Sequence, residues 1–162
     1  MNYYELFELP VKAVADKTYV FKKYIELQKK FHPDFFTNEN EADKENALEQ
    51  SAAINKAHNI FSNKEKTIEY FLQQKGIISP DEKYNLPPEF LMEMIDLNEA
   101  IDEKNAATEN KIIAFENELY AEIAGLLINE KETELNEHEL LKLKAYYYKK
   151  KYLKRILDRI ND

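Results

Sequence analysis

The sequence predicts an all-α protein in two helical parts, on three observations. Only two of its 162 residues are glycine and five are proline, and no long stretch alternates apolar and polar residues as a half-buried strand would. Apolar residues recur at three- and four-residue spacing over several long windows, the period of one buried helix face. Helix punctuation is also in place, with Asn2, Asp16 and Asn136 at N-cap positions and Pro88 at a first helical position. A composition of 44% apolar and 33% charged residues supplies a core and a solvated exterior. The expected division is a helical-hairpin domain over residues 1–76, a linker over 77–87 and a three-helix bundle over 88–162.

Asn2 caps a short first helix to which Tyr3, Leu6 and Phe7 give apolar contacts, and Pro10 follows its end. A loop over 10–16 leads to Asp16 and the second helix. There Val20, Tyr24, Leu27 and Phe31 form one narrow stripe, expected to be buried. Lys22 and Lys29 point the opposite way, with Lys23, Glu26 and Lys30 beside them. Pro33 ends this helix because its ring pushes the preceding His32 out of the α region. A polar stretch, Thr37 to Asn40, opens a third helix over about 41–62. Its Leu48, Ala52, Ile54 or Asn55, Ala57 and Phe61 are expected to pack on the second, making an antiparallel hairpin. Asn63 breaks it. A fourth segment, Lys64 to Lys75, places Ile68, Phe71 and Leu72 on one side and stops at Gly76.

Beyond the linker, helices are expected from Pro88 to about Lys104, over about 109–128 and from Glu137 to about Ile160. The second of these carries Ile112, Leu119, Ile123, Leu126 and Leu127, and Asn136 with Glu139 makes a capping pair for the third. The short connections imply a bundle.

Composition excludes several functions. Without cysteine there is no disulfide framework, no thiolate zinc site and no thiolate iron–sulfur ligation. A net charge of −8 argues against a nucleic-acid partner. The apolar runs are too short to span a bilayer, and the acidic N-terminus resembles neither a signal nor a transit peptide, so a cytoplasmic protein without a membrane partner is expected. His32, His58 and His138 lack ligand spacing, so no metal or other cofactor is expected. Nor is an enzyme, since His32 and Asp34 flank a proline on an exposed turn with no nucleophile or oxyanion donor paired to them. Oligomeric state stays open between a monomer and a weak dimer.

Charge is unevenly placed. Residues 1–76 carry 11 basic against 12 acidic side chains, whereas residues 86–162 carry 11 against 17. Between Leu86 and Glu103 stand Glu89, Glu93, Asp96, Glu99, Asp102 and Glu103 with no basic residue among them. The two halves therefore present different faces to different partners.

His32-Pro33-Asp34 taken alone is an ordinary helix stop and turn. Its flanks add specificity. Ahead of it lie Asn2-Tyr3-Tyr4-Glu5-Leu6-Phe7-Glu8-Leu9-Pro10 and the lysine-rich helix; behind it lies Ser51-Ala52-Ala53-Ile54-Asn55-Lys56-Ala57-His58-Asn59-Ile60-Phe61. The first run resembles the J-domain opening "YYxLLG(L/V)", and the second its third-helix pattern "I-N-x-A-(Y/W)". The chain is thus identified as containing a J-domain, the module that triggers ATP hydrolysis in DnaK-class chaperones. That resemblance implies that Lys22, Lys23, Lys29 and Lys30 approach an acidic surface of the chaperone, while His32, Pro33 and Asp34 engage it near its interdomain linker.

In the helix from Pro88, Phe90, Met94, Leu97 and Ile101 form the core stripe. Leu91, Met92 and Ile95 lie off it, interleaved with Asp96, Glu99 and Glu103. Such a face reads either as a docking surface or as a widened core. The run Phe90 to Glu103, FLMEMIDLNEAIDE, resembles the "FLMEQ(L/M)ELREELDE" segment of the HscB family, J-domain co-chaperones of iron–sulfur cluster assembly. Glu49 to Asn55, and Glu69-Tyr70-Phe71-Leu72 closed by Gly76, also resemble that family. The resemblance implies that Leu91, Met92, Ile95, Asp96, Glu99 and Glu103 bind the cluster scaffold protein of IscU type, and that an aromatic on the last helix, among Tyr146, Tyr147 and Tyr148, assists. It implies a DnaK or HscA chaperone as second partner. The other reading is a general J-protein whose bundle binds a different client. The chain departs from the pattern at Phe35, where lysine is usual after HPD, at His58 for an aromatic, at Thr67 for an arginine, and at Asn63-Lys64 for "(D/H)P".

Overall fold

The computed structural model describes residues 1–103, 106–131 and 133–160, and among them are seven α-helices, one 3-10 turn and no strand. The chain forms two compact units, Met1–Phe71 and Leu72–Asp162.

In the first unit α1 (Tyr3–Leu6) opens with a capping box: the Asn2 side chain accepts from Glu5 N–H, and the Glu5 carboxylate accepts from Asn2 N–H. It closes in a Schellman turn, with Leu9 N–H on Tyr4 C=O and Glu8 N–H on Glu5 C=O. That turn demands a left-handed residue, and Glu8 supplies it at φ 52°. Helix α2 (Lys17–Phe31) starts at Asp16, whose carboxylate accepts from Tyr19 N–H. The turn after α2 is a 3-10 turn, Pro33–Phe36, and α3 (Glu41–Phe61) begins on the cap of Asn40. Asn63 both follows the end of α3 and caps α4 (Lys64–Gln74), accepting from Lys66 N–H.

The α2–α3 hairpin is the frame of this unit, and α3 also packs on α1 and on the 3-10 turn. Val20 and Leu27 are buried as the stripe predicts; Tyr24 and Phe31 are half-buried at its edge. The α3 face is corrected by one residue at its N-terminal half: Ala47 and Ser51 are buried, while Leu48 is 62% exposed and Ala52 is exposed too. Adjacent residues differ by 100° around a helix, and the close approach to α2 selects the small side chains. Asn55 lies on the exterior, accepting from Tyr24 Oη (3.2 Å) and Gln28 Nε2 (2.8 Å). His58 fills the place of the usual aromatic by stacking on Tyr24, with ring centroids 4.1 Å apart. Thr67, standing for an arginine, is buried, its hydroxyl within reach of the Ile60 (2.9 Å) and Asn63 (2.8 Å) carbonyls. Ile68, Phe71 and Leu72 are all buried, and Gly76 adopts φ 69° after α4.

In the second unit α5 (Pro88–Asp102), α6 (Ala106–Asn129) and α7 (Glu137–Ile160) pack pairwise as a three-helix bundle. The expected α5 end at Lys104 lies outside the described residues. Phe90, Met94, Leu97 and Ile101 of α5 are buried, as are Leu119, Ile123 and Leu127 of α6 and Leu143, Tyr146, Leu153 and Ile156 of α7. Asn136 and Glu139 form the expected capping box. Residues 77–87 hold no helix, yet they are no free tether. Ile78 is buried, Glu82 accepts from Lys144 Nζ (2.6 Å) and Tyr148 Oη (2.7 Å), and Tyr84 stacks on Tyr148 at 4.4 Å. This stretch falls in the second unit, Leu72–Asp162.

Candidate partner-docking sites

The first site is the tip of α2. His32 closes the helix through its N–H on Gln28 C=O, then turns to ψ 133° because Pro33 follows. The same residue caps the 3-10 turn: its Nδ1 accepts from Asp34 N–H at 3.2 Å, and its C=O accepts from Phe35 N–H at 3.0 Å. With Nδ1 accepting, the neutral form of the ring is assigned its proton on Nε2. The Asp34 carboxylate lies 3.6 Å from Nδ1 and its side chain is 84% exposed. With α3 packed on both α2 and the turn, the backbone is fixed while imidazole and carboxylate are displayed.

Lys22, Lys29 and Lys30 are exposed on α2, with the Lys30 ammonium 5.3 Å from the Phe31 ring centroid. Lys23 is not displayed. Its side chain is only 9% exposed, and its ammonium pairs with Glu8 and, at 3.2 Å, Glu26. The expected four-lysine face is therefore corrected to three: the wheel places Lys23 at the edge of the stripe, where Glu8 draws it inward. Hydrogen bonding to Lys23 holds the Glu8 carboxyl below its ordinary range, and the same bond raises Lys23 above its own.

The second site is the outer face of α5. Met92 and Ile95 are 66% and 58% exposed, Leu91 is half-buried, and Asp96, Glu99 and Glu103 are exposed. Large exposed apolar side chains framed by carboxylates on a helix whose opposite stripe is fully packed make a rigid mixed surface. A cleft of about 310 Å³ between α5 and α6, lined by Glu93, Asp96, Phe115 and Glu118 among others, extends it on one side.

On α7, Tyr146 is buried and Tyr148 is engaged by Glu82 and Tyr84; Tyr147 is half-buried, 4.9 Å from the Tyr148 ring. Burial, with the Glu82 hydrogen bond second, pushes the Tyr148 hydroxyl pKa far up. Tyr152, absent from the sequence expectation, reaches α5: its ring meets Phe90 edge-on at 6.0 Å, next to Leu91. Its signal is the α7 period, since 146, 153 and 156 mark the core and 152 lies at its margin. Among the described residues no group of three or more His, Asp or Glu side chains is placed to hold a metal, and no helix is long and apolar enough to cross a membrane.

These two surfaces lie on recognisable modules. Residues 2–70 match the DnaJ domain model, and residues 86–161 match the HSCB C-terminal oligomerisation domain model. A J-domain followed by that helical domain defines a co-chaperone class. A co-chaperone protein HscB homolog of Vibrio cholerae is 36% identical over 124 residues, 75% of this chain and 72% of the relative. One from Psychromonas ingrahamii is 32% identical over 127 residues, 78% and 75% of the two chains. Among solved structures, the chaperone HscB from Vibrio cholerae superposes with a TM-score of 0.64 at 29% identity over 99% of both chains. Human co-chaperone protein HscB shares the fold, with a TM-score of 0.83 at 21% identity over 99% of this chain and 81% of the human one. The chain belongs to the HscB co-chaperone family.

Proposed function

We propose that this protein stimulates the ATPase of a DnaK/HscA-class chaperone through His32-Pro33-Asp34 and delivers to it, in the cytoplasm, an iron–sulfur scaffold protein of IscU type held on α5. The observation that carries the reading is the pairing of two rigid exposed surfaces of opposite character, one on each unit. Lys22, Lys29 and Lys30 lead to the displayed His32 and Asp34 on the first. Leu91, Met92, Ile95, Asp96, Glu99 and Glu103 form the second.

The basic edge suits an acidic chaperone surface, where pairing gives orientation and on-rate more than affinity. The apolar-acidic face suits a partner burying Met92 and Ile95 in a central pocket with basic groups at its rim. Joining two weak contacts on one chain raises the effective concentration of each partner for the other. Titration calorimetry of an IscU-type scaffold tests the second surface. Met92→Ala/Ile95→Ala is expected to weaken binding by at least about ten-fold, or about 1.4 kcal/mol. Undiminished binding by that variant contradicts the assignment.

A further inference from the structure

Of the nine phenylalanines in the chain, only Phe21 and Phe35 are exposed, at 58% and 64%. They are not scattered. Phe21, Ile25 and His32 recur at spacings of four and seven along α2, so they share one edge of the helix, and Ile25 is also exposed at 37%. Phe35 continues the line past the helix end, its ring meeting the His32 ring edge-on at 6.2 Å. An apolar strip thus runs beside Lys22 and Lys29 and ends at the His-Pro-Asp tip.

We infer that the chaperone-facing surface of the first unit is mixed, with Phe21, Ile25 and Phe35 making apolar contacts to the DnaK/HscA-class ATPase alongside the lysine contacts. This rests on the co-chaperone reading above and deepens it. The occupant follows from continuity: a partner that reaches His32 from the Lys22/Lys29 side passes over this strip, and Phe35 touches the imidazole itself. The partner surface it fits is an acidic patch bordered by an apolar one. Phe35 stands where the J-domain pattern has lysine, so a charge contact is exchanged for an apolar one at the tip.

Two kinds of contact respond differently to salt. Screening shortens the reach of exposed charges from about 10 Å at 0.1 M to about 3 Å at 1 M ionic strength, whereas apolar burial is not screened. The experiment is stimulation of the chaperone ATPase by the full chain, titrated at low and high KCl, for wild type, Phe21→Lys/Phe35→Lys and His32→Gln. The half-maximal concentration of wild type is expected to rise less than about three-fold between about 50 and 400 mM KCl. The half-maximal concentration of the double-lysine variant is expected to rise more than about ten-fold over the same range. A double variant that follows wild type across the range shows the strip to be plain solvated surface and overturns the inference. Stimulation by His32→Gln equal to wild type overturns instead the co-chaperone reading on which it rests.

Discussion

Glu8 holds the ammonium of Lys23 across 15 residues of sequence, and does so from a left-handed backbone position. The J-domain opening has glycine there, since a Cβ in this conformation costs on the order of 1–2 kcal/mol. In this chain the residue in that conformation uses its carboxylate to engage Lys23, whose ammonium also pairs with Glu26. One substitution from the pattern therefore reshapes the basic face: Lys23 becomes a structural residue, and the displayed charges are Lys22, Lys29 and Lys30.

Replacement of the lysines separates the two roles. Lys23→Met is expected to leave chaperone stimulation within about two-fold of wild type, because Lys23 is not displayed and the carboxylates it leaves, Glu8 and Glu26, are solvent-exposed. Lys22→Ala/Lys29→Ala is expected to lower stimulation at low salt by about three-fold, and to change it little at high salt. Steady-state ATPase titrations check both.

The backbone cost at Glu8 is measurable by urea unfolding. Glu8→Gly and Glu8→Ala both lose the ion pair, but only alanine keeps a Cβ at φ 52°. Glycine is expected to be the more stable, by about five-fold in the unfolding equilibrium constant.

Glu82 gives the second unit a pH dependence of known sign. Its carboxyl is held below its ordinary 4.5, first by the hydrogen bond from Lys144 and then by that from Tyr148. A depressed carboxyl stabilises fully above its unfolded value and loses that contribution as pH falls through the folded one. The stability gap between wild type and Glu82→Gln is therefore expected to be constant from pH 5 to 8, by urea unfolding, and to narrow below about pH 4.5.

The packing of α3 on α2 predicts a contrast between near neighbours. Ile54→Ala is expected to cost about 2–5 kcal/mol, because it opens a cavity at a fully buried site. Leu48→Ala is expected to fall within about 0.5 kcal/mol of wild type, being an exposed change.

Much of this was readable in the residues. The caps at Asn2, Asp16 and Asn136, the stop at Pro33 and the α5 core stripe depend on local chemistry within one turn, and the structure has them where the sequence places them. What escaped depends on partners far apart in the chain. Lys23 is drawn inward by Glu8, residues 77–87 are strapped down by Lys144 and Tyr148, and Tyr152 finds Phe90 from another helix. The register at Ala47 was hidden for a different reason: a wheel ranks Leu48 above alanine by hydrophobicity, whereas close helix contact favours the smaller side chain.

The central claim is that His32 drives the chaperone while α5 holds the scaffold. Single-turnover ATP hydrolysis by the host's DnaK/HscA-class protein, with and without an IscU-type scaffold, tests it most directly. Wild type is expected to stimulate synergistically with the scaffold, and that synergy is expected to vanish in both His32→Gln and Leu91→Ala/Met92→Ala/Ile95→Ala. Full stimulation by His32→Gln contradicts the role of the tip, and full synergy in the triple variant contradicts the role of the α5 face.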